Sequence, residues 1–284
     1  MKKILITGAN SYVGTSVENW LKQWPEEYVI NTLDMQDPAW HNLSFEGYDV
    51  VYHVAGIAHV STDKKLDGLY YKINRDLAIE VAQKAKEDKI KQFIYMSSAI
   101  IYGIDAKIGV PVTITKDTIP QPINAYGKSK LEADLAIQKL NCDTFHTVCI
   151  RSPMVYGANC KGNYATLRKY ANSLPVLPKI QNYRSMIHIE NLASFVKERI
   201  DRNDFGVFYP QNDAYISTNS IIATIREMNG KKTHYSKLMG WMVTVLSGFI
   251  PLFRKIYGNL TFSFDISDTS FIINDFTTSI KKSL

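Results

Sequence analysis

Read for its apolar and polar positions, the chain opens on a short apolar run, KILIT at 3–7, bounded by Lys2 and Gly8, which predicts a buried strand. SVENWLKQW follows with helical spacing. YVINTLDM (28–35) and DVVYHVAG (49–56) predict two more strands. LYYKINRDLAIEVAQKAKED places Tyr70, Ile73, Leu77 and Val81 on one helical stripe. KQFIYMSS (91–98) predicts a strand, the segment after Asn124 a helix, and HTVCIRS (146–152) and FGVFYP (205–210) further strands. Strands alternating with helices predict βαβ units, hence an α/β fold with a Rossmann-type doubly wound parallel sheet. The pattern is less regular later. It predicts a first domain over 1–158 plus about 187–212, and a smaller, discontinuous C-terminal substrate lobe over about 159–186 plus 213–284.

One later stretch stands out. LMGWMVTVLSGFIPLF (238–253) sets Leu238, Trp241, Met242, Val245, Leu246 and Phe249 on one helical face, and Gly240, Thr244 and Ser247 on another. It is shorter than the roughly 20 residues a spanning helix needs, and Pro251 interrupts it. The expectation is a buried or lid helix, with membrane contact as the lesser alternative.

Composition narrows the class. The chain has 284 residues, 45% of them hydrophobic, which is enough for a full core. The formal net charge of +6 is spread thinly, apart from pairs such as Lys64-Lys65 and Lys231-Lys232. That is mild attraction for anions, not the clustered stripe of a nucleic-acid binder. Cys142, Cys149 and Cys160 form no CxxC pair or metal-ligand spacing, which suits a reducing cytoplasm and predicts no metal site. The first residues, MKKILITGAN, are too short in apolar core for a signal peptide, so a cytoplasmic location is expected.

The carboxyl ends of parallel strands are where ligands bind, and the candidate chemistry lies there. TGANSYVG (7–14) follows the first strand and opens the first helix. Gly8 suits the tight turn, the backbone of Asn10, Ser11, Tyr12 and Val13 can hold a pyrophosphate at the helix N-terminus, and Gly14 allows close helix packing. Ser11 stands where a middle glycine is usual. Asp34 closes the second strand and is the candidate for the adenosine ribose hydroxyls, although DMQD (34–37) could instead be the segment that faces the adenine. No Arg or Lys lies between Lys22 and Lys64 to receive a 2′-phosphate, which favours NAD over NADP and leaves NADP open. The span between Asp34 and the next strand is too short for an extra helix and strand.

NAYGKSK (124–130) then gains weight. Tyr126 and Lys130 are four apart on a helix and share a face, while Lys128 points away. A tyrosine pKa of about 10 is too high for a base at neutral pH, and an adjacent ammonium would favour the phenolate. Lys130 can also bond a nicotinamide ribose. Ser98, at a strand end, can share the proton on a substrate hydroxyl.

TGANSYVG, DVVYHVAG, INRD, SSAIIYG, YGKSK, IRSPMVYG and RSMIHIENLA occur in this order over most of residues 1–195. As a set they resemble the extended short-chain dehydrogenases/reductases of the NAD-dependent epimerase/dehydratase family. The resemblance implies nicotinamide chemistry, a nucleotide-sugar substrate, usually UDP-linked, and a homodimer. It implies Ser98, Tyr126 and Lys130 as the catalytic set, and Asn74 as a structural and active-site asparagine. It also places Ala55, Gly56, Ser97, Pro153 and Val155 along the cofactor. Asn163 would bond the sugar diphosphate and Arg184 would pair with phosphate, a task suited to guanidinium. Their plainer roles are a helix cap near Ala165 and a surface ion pair. His53 reads as a packed histidine and His188 as a strand or helix-entry residue rather than a base; His59 could face substrate.

Family dehydratases carry an Asp-Glu pair after the catalytic hydroxyl residue. Here Ala99 and Ile100 stand there, which disfavours 4,6-dehydration. The expectation is C4 epimerisation of a UDP-hexose through a 4-keto intermediate, in bacterial polysaccharide biosynthesis. The alternative is NAD(P)H-dependent reduction of a UDP-deoxyhexosulose. A non-catalytic dinucleotide binder, or an enzyme acting on a lipid-linked sugar, ranks below both.

Overall fold

The computed structural model describes residues 1–58 and 64–284; His59 lies outside them. In chain order the strands are β1 (Lys2–Thr7), β2 (Tyr28–Leu33), β3 (Val50–His53), β4 (Gln92–Ser98), β5 (Thr113–Ile114), β6 (His146–Ser152), β7 (Met154–Tyr156), β8 (Val176–Pro178), β9 (Met186–His188), β10 (Gly206–Phe208), β11 (His234–Ser236) and β12 (Thr261–Phe262). The helices are α1 (Tyr12–Leu21), α2 (Asp67–Tyr70), α3 (Leu77–Glu87), α4 (Ala125–Gln138), α5 (Asn163–Ala171), α6 (Ile189–Arg202), α7 (Thr218–Met228), α8 (Lys237–Leu246), α9 (Pro251–Tyr257) and α10 (Phe276–Lys282). The chain divides into two units: Met1–Gly103 with Ile119–Ser152 and Ile189–Pro210, and Ile104–Thr118 with Pro153–His188 and Gln211–Leu284.

The first unit is built on a six-stranded parallel sheet in the order β10-β6-β4-β3-β1-β2. The chain steps from β1 to β2 on one side, then returns past β1 to β3 and onward. The order therefore reverses between β1 and β3, which is where a doubly wound sheet opens its ligand crevice. Register aligns Thr7 with His53 and Leu33, and Ser98 with Ser152, so the chemistry-bearing strand ends form one edge. Leu5, Val51, Phe93, Tyr95 and Cys149 pack with Ala78, Val81, Ala82 and Ala85 of α3 and with Ala133 and Ile137 of α4. Between β2 and β3 there is only a 3-10 turn, Pro38–Asn42, whose Trp40 joins this core. β2 is consequently an edge strand.

The α3 stripe differs from the expected one. The buried positions run Tyr70, Asn74, Ala78, Val81, while Ile73 and Leu77 are half-buried. The cause is a π-helical stretch, Tyr71–Asp76, whose extra residue per turn shifts the phase. It turns Asn74 inward.

A buried ion pair ties this unit together. Asp134 of α4 is fully buried and receives Arg151 of β6 in a two-pronged contact, Nη2 to Oδ1 at 2.9 Å and Nε to Oδ2 at 3.3 Å. The other guanidinium nitrogen donates to Tyr102 Oη and Tyr209 Oη at 2.9 and 3.0 Å. A fork of this geometry suits a carboxylate, and each partner is costly to leave alone.

The second unit carries three short parallel pairings, β7 with β9, β8 with β11 and β5 with β12. These set its boundaries. Thr113–Ile114 draws residues 104–118 into it, and β7 draws in Pro153 and Val155, which the sequence reading had placed in the dinucleotide domain. β9 likewise keeps Ile187 and His188 here. Of the expectation of a buried or lid helix over 238–253, the buried alternative fails, and the stretch is α8, a turn and the start of α9. Gly240 and Ser247 are the buried positions of this stretch, whereas Leu238, Trp241, Met242, Val245 and Phe249 are exposed.

Asp134→Ala should lose about 3–5 kcal/mol in urea unfolding, because it strands the Arg151 guanidinium. Asp134→Leu combined with Arg151→Met should recover most of that loss; equal destabilisation by the double variant would contradict the account.

Candidate active site

The loop after β1 is shaped by two close approaches. Gly8 has φ +115, and a Cβ there would stand 2.7 Å from Ala55 N, so neither backbone nor space admits another residue. Val54 and Ala55 both donate to Thr7 O at 3.0 Å, holding the β3 turn against the loop. Gly14 is similarly confined: a Cβ would stand 2.9 Å from Val54 Cγ2. Ser11 in place of a glycine has a physical reason. Its φ of −73° is open to any residue, and its Oγ caps α1 by accepting from Gly14 N at 3.1 Å. Asn10 takes the left-handed conformation, φ 62°, that the turn needs. The first-turn N–H groups of α1, Val13 among them, lack acceptors within the helix and face the end where an anion is favoured.

Asp34 is exposed just beyond β2, next to the loop, since Gly8 and Ala9 donate to Leu33 O. One of its oxygens accepts from Gln36 N at 2.9 Å. Asp37 instead caps the 3-10 turn by accepting from Ala39 N, so of the DMQD carboxylates Asp34 is the one suited to ribose hydroxyls.

Lys130 lies against β4. Asn124 caps α4 by accepting from Gly127 N at 2.8 Å, which fixes the helix that presents Tyr126 and Lys130. The Lys130 side chain is buried, donates to Met96 O at 2.7 Å and sits over the Tyr95 ring at 4.7 Å. A Cβ on Gly56 would come within 3.4 Å of its Nζ and 3.0 Å of Asn74 Oδ1, so Gly56 leaves room for both. Asn74 clamps Ile57, accepting from its N–H at 2.8 Å and donating to its carbonyl at 3.0 Å. Burial lowers the Lys130 pKa from 10.5 to about 8, and the Asp134 carboxylate opposes that shift.

Tyr126 lies against Tyr70, ring centroids 5.7 Å apart, and is hydrogen-bonded by Ser98. Its pKa is raised, chiefly by burial, while the Ser98 contact works the other way. The ammonium of Lys130 is engaged with Met96 O. Ser98 also caps the following 3-10 turn by accepting from Ile100 N, and Ala99 and Ile100 form that turn's start. Ser97 is buried with an Oγ that has no partner, a polar atom left over at the strand end beside this set.

His53 is packed, as expected: fully buried, paired with Thr7 Oγ1 at 2.8 Å and held neutral, its pKa pushed down to about 3 by burial and the Lys130 charge. Asp134 and Arg151 were not singled out from the sequence. The signal was there in principle, since Asp134 follows Lys130 by one helical turn on the same face.

The second unit has its own cavity, lined by Asn163, Arg184, Met154, Leu252, Lys255 and neighbours. Arg184 Nε donates to Gly258 O at 2.9 Å, and its guanidinium meets carbonyls, with no carboxylate among the described residues to form the ion pair considered for it. Burial lowers its pKa to about 10. Asn163 is the first residue of α5 and Gly162 holds the cap position, so Asn163 does not cap the helix. Lys255 is a second cation here, missed in the sequence because nothing in its spacing marks it. Pro153 and Val155 belong to this unit; Val155 pairs with Ile187. His188 ends β9, buried edge-on against Tyr156.

These residues suit a dinucleotide: a capped helix N-terminus with a glycine-lined turn, an exposed carboxylate just beyond β2, and a buried lysine one helical turn from a phenol. The chain belongs to the NAD dependent epimerase/dehydratase family, whose profile matches residues 4–207. It is an NAD(P)-dependent enzyme of the extended short-chain dehydrogenase/reductase type. It is 27% identical over 281 residues to a UDP-glucose 4-epimerase of Vibrio cholerae, covering 90% of this chain and 83% of that one. It is 24% identical over 276 residues to the N-acetyl-alpha-D-glucosaminyl-diphospho-ditrans,octacis-undecaprenol 4-epimerase of Escherichia coli O157:H7, covering 90% and 81%. Among solved structures, the UDP-glucuronic acid 4-epimerase of Bacillus cereus with NAD superposes with a TM-score of 0.73 at 17% identity, over 99% of this chain and 97% of that one.

Because folding depresses the Lys130 pKa, the buried ammonium costs stability below about pH 8, and the cost is relieved as pH rises from there toward 10.5. Lys130→Met should therefore be inactive yet more stable than the native chain at pH 7, by on the order of 3 kcal/mol. Thermal melts at pH 7 and pH 10 check this: the advantage should shrink at the higher pH, and a variant less stable at pH 7 would contradict it.

Proposed function

We propose that the protein is a nucleotide-sugar 4-epimerase acting on a UDP-hexose, with NAD retained as its cofactor. The observation that carries this reading is the Ser98–Tyr126 contact beside buried Lys130 at the strand edge. Its support is the pair of relatives, both named as 4-epimerases, that align along 90% of the chain. Ala99 and Ile100 after Ser98 supply no acid for a leaving hydroxyl, so dehydration is disfavoured.

In this reading Gly8, Asn10, Ser11, Tyr12, Val13 and Gly14 cradle the pyrophosphate, and Asp34 holds the adenosine ribose. Ala55, Gly56, Asn74 and Ser97 shape the floor, with Pro153 and Val155 along the nicotinamide. When bound, the nicotinamide ring is the hydride acceptor and donor, and its positive charge favours a phenolate. Tyr126 Oη takes the proton from the C4 hydroxyl and later returns it. Ser98 Oγ holds that oxygen in place, and the Lys130 ammonium orients the ribose and favours ionised Tyr126. Arg184, with Asn163 and Lys255, takes the diphosphate, whose charge a guanidinium without a carboxylate partner is suited to meet. The two named relatives share a diphosphate-linked sugar as the substrate class. A homodimer belongs to the same reading.

Denaturing the purified protein and identifying any released dinucleotide tests it. One NAD per chain is expected of an enzyme that recycles its own hydride. An empty site, with turnover of 4-keto sugars driven by added NADH or NADPH, would replace the epimerase by a 4-reductase. Tyr126→Phe should abolish turnover while leaving the melting temperature and dinucleotide content unchanged. Arg184→Ala should raise KM about tenfold to a hundredfold, the range of a lost hydrogen bond to a charged group, with little change in dinucleotide content.

A further inference from the structure

The α8–α9 segment is packed inside out. Within 238–253 its buried positions are Gly240 and Ser247, the residues with the least to gain from burial. Gly240 lies on the backbone of Lys179: a Cβ there would stand 2.7 Å from Lys179 O. That approach turns the small face inward and the large apolar face outward. Leu238, Trp241, Met242 and Val245 form one stripe on α8 and Phe249 follows in the turn after it, with Phe249 83%, Leu238 66% and Trp241 64% exposed. Ile250 and Leu252 continue it onto α9. An apolar surface of this extent marks an interaction site.

The charge around the stripe says which kind. Between Glu227 and Asp265 the chain carries Lys231, Lys232, Lys237, Arg254 and Lys255 and no acidic residue. Arg254 is engaged with Asp105 and with Ser247 O. Among the described residues, Lys232, Lys237 and Lys179 form no ion pair, and all three are exposed. An exposed Trp–Phe–Leu stripe in a chain segment that carries unneutralised lysines and no carboxylate is the composition that seats a helix in the interface of an anionic bilayer. A second copy of the same face would instead bring these lysines against their own equivalents. No helix among the described residues is long and apolar enough to cross a membrane, so the contact is one of lying on the surface.

We propose that α8 and α9 form a docking surface for an anionic lipid bilayer, with Leu238, Trp241, Met242, Val245, Phe249 and Ile250 in the acyl boundary and Lys232 and Lys237 at the headgroups. Docking of this kind does not depend on turnover, so it stands or falls apart from the reaction assigned above.

The test is co-sedimentation of the full chain with phosphatidylcholine vesicles, with and without phosphatidylglycerol. The native protein should pellet at least tenfold more with the anionic vesicles, and less as salt rises. Trp241→Ser with Phe249→Ser should lose at least tenfold of that binding, and Lys232→Gln with Lys237→Gln should lose the preference for anionic lipid. Both variants should keep the native circular dichroism spectrum and dinucleotide content, which separates lost docking from lost folding. Absence of pelleting by the native chain would overturn the proposal. So would a lipid-free dimer, seen by sedimentation velocity, that Trp241→Ser with Phe249→Ser converts to monomer, because the stripe would then be an interface between copies.

Discussion

The site is organised around one unfavourable act, the burial of the Lys130 ammonium. A charged amine within a parallel sheet's edge needs acceptors and nearby negative charge. It has the Met96 carbonyl, the Tyr95 ring and, one helical turn away, the Asp134 carboxylate. Asp134 is itself buried and requires Arg151, and Arg151 in turn engages Tyr102 and Tyr209. The carboxylate thus answers two cations, and the network fixes α4 against β4 and β6. Tyr126 is held on the same helix, so the geometry of the phenol follows from how the lysine is accommodated. Stability is traded for a placed charge, as is common where function needs a pKa displaced from its ordinary value.

The neighbours of Lys130 obey the same constraint. Gly56 is small because Nζ and Asn74 Oδ1 occupy the space a side chain would fill. Asn74 reaches that space because the helix loosens to a π turn at Tyr71–Asp76, and its amide then fixes the strand-end loop through Ile57. Ser11 shows the opposite freedom. The backbone conformation at that position is ordinary, so a serine is admitted and its hydroxyl caps the helix that the phosphate loop opens.

Much of this was legible in the sequence where the evidence is periodic or local. The alternation of strands and helices, the TGANSYVG loop and the Tyr126–Lys130 spacing each express a short-range rule, and the structure places Ser98, Tyr126 and Lys130 around one strand edge. What was not legible depends on distant pairing. The π turn moved the buried stripe from Ile73 and Leu77 to Asn74 and Ala78, and no local pattern announces an inserted residue in a helix. The boundary between the units was misplaced because residues 104–118 belong with β12, a pairing across more than half the chain. Arg151 sits in a strand that reads as apolar, and only its approach to Asp134 shows why a charge is tolerated there.

The 238–253 stretch shows the limit most sharply. Amphipathicity states that a helix has two faces; it does not state which face the protein turns inward. The usual inference, apolar face to the core, rests on the large gain from burying leucine, tryptophan and phenylalanine. Here that gain is forgone within the chain because Gly240 permits backbone contact with Lys179, and a larger residue would force the helix off that surface. A glycine at the contact and tryptophan on the outside is a costly arrangement for a chain that meets only water. It becomes a favourable one when the apolar face has a second, nonaqueous phase to enter, and lysines without carboxylate partners in the same chain segment suit a negative surface on that phase.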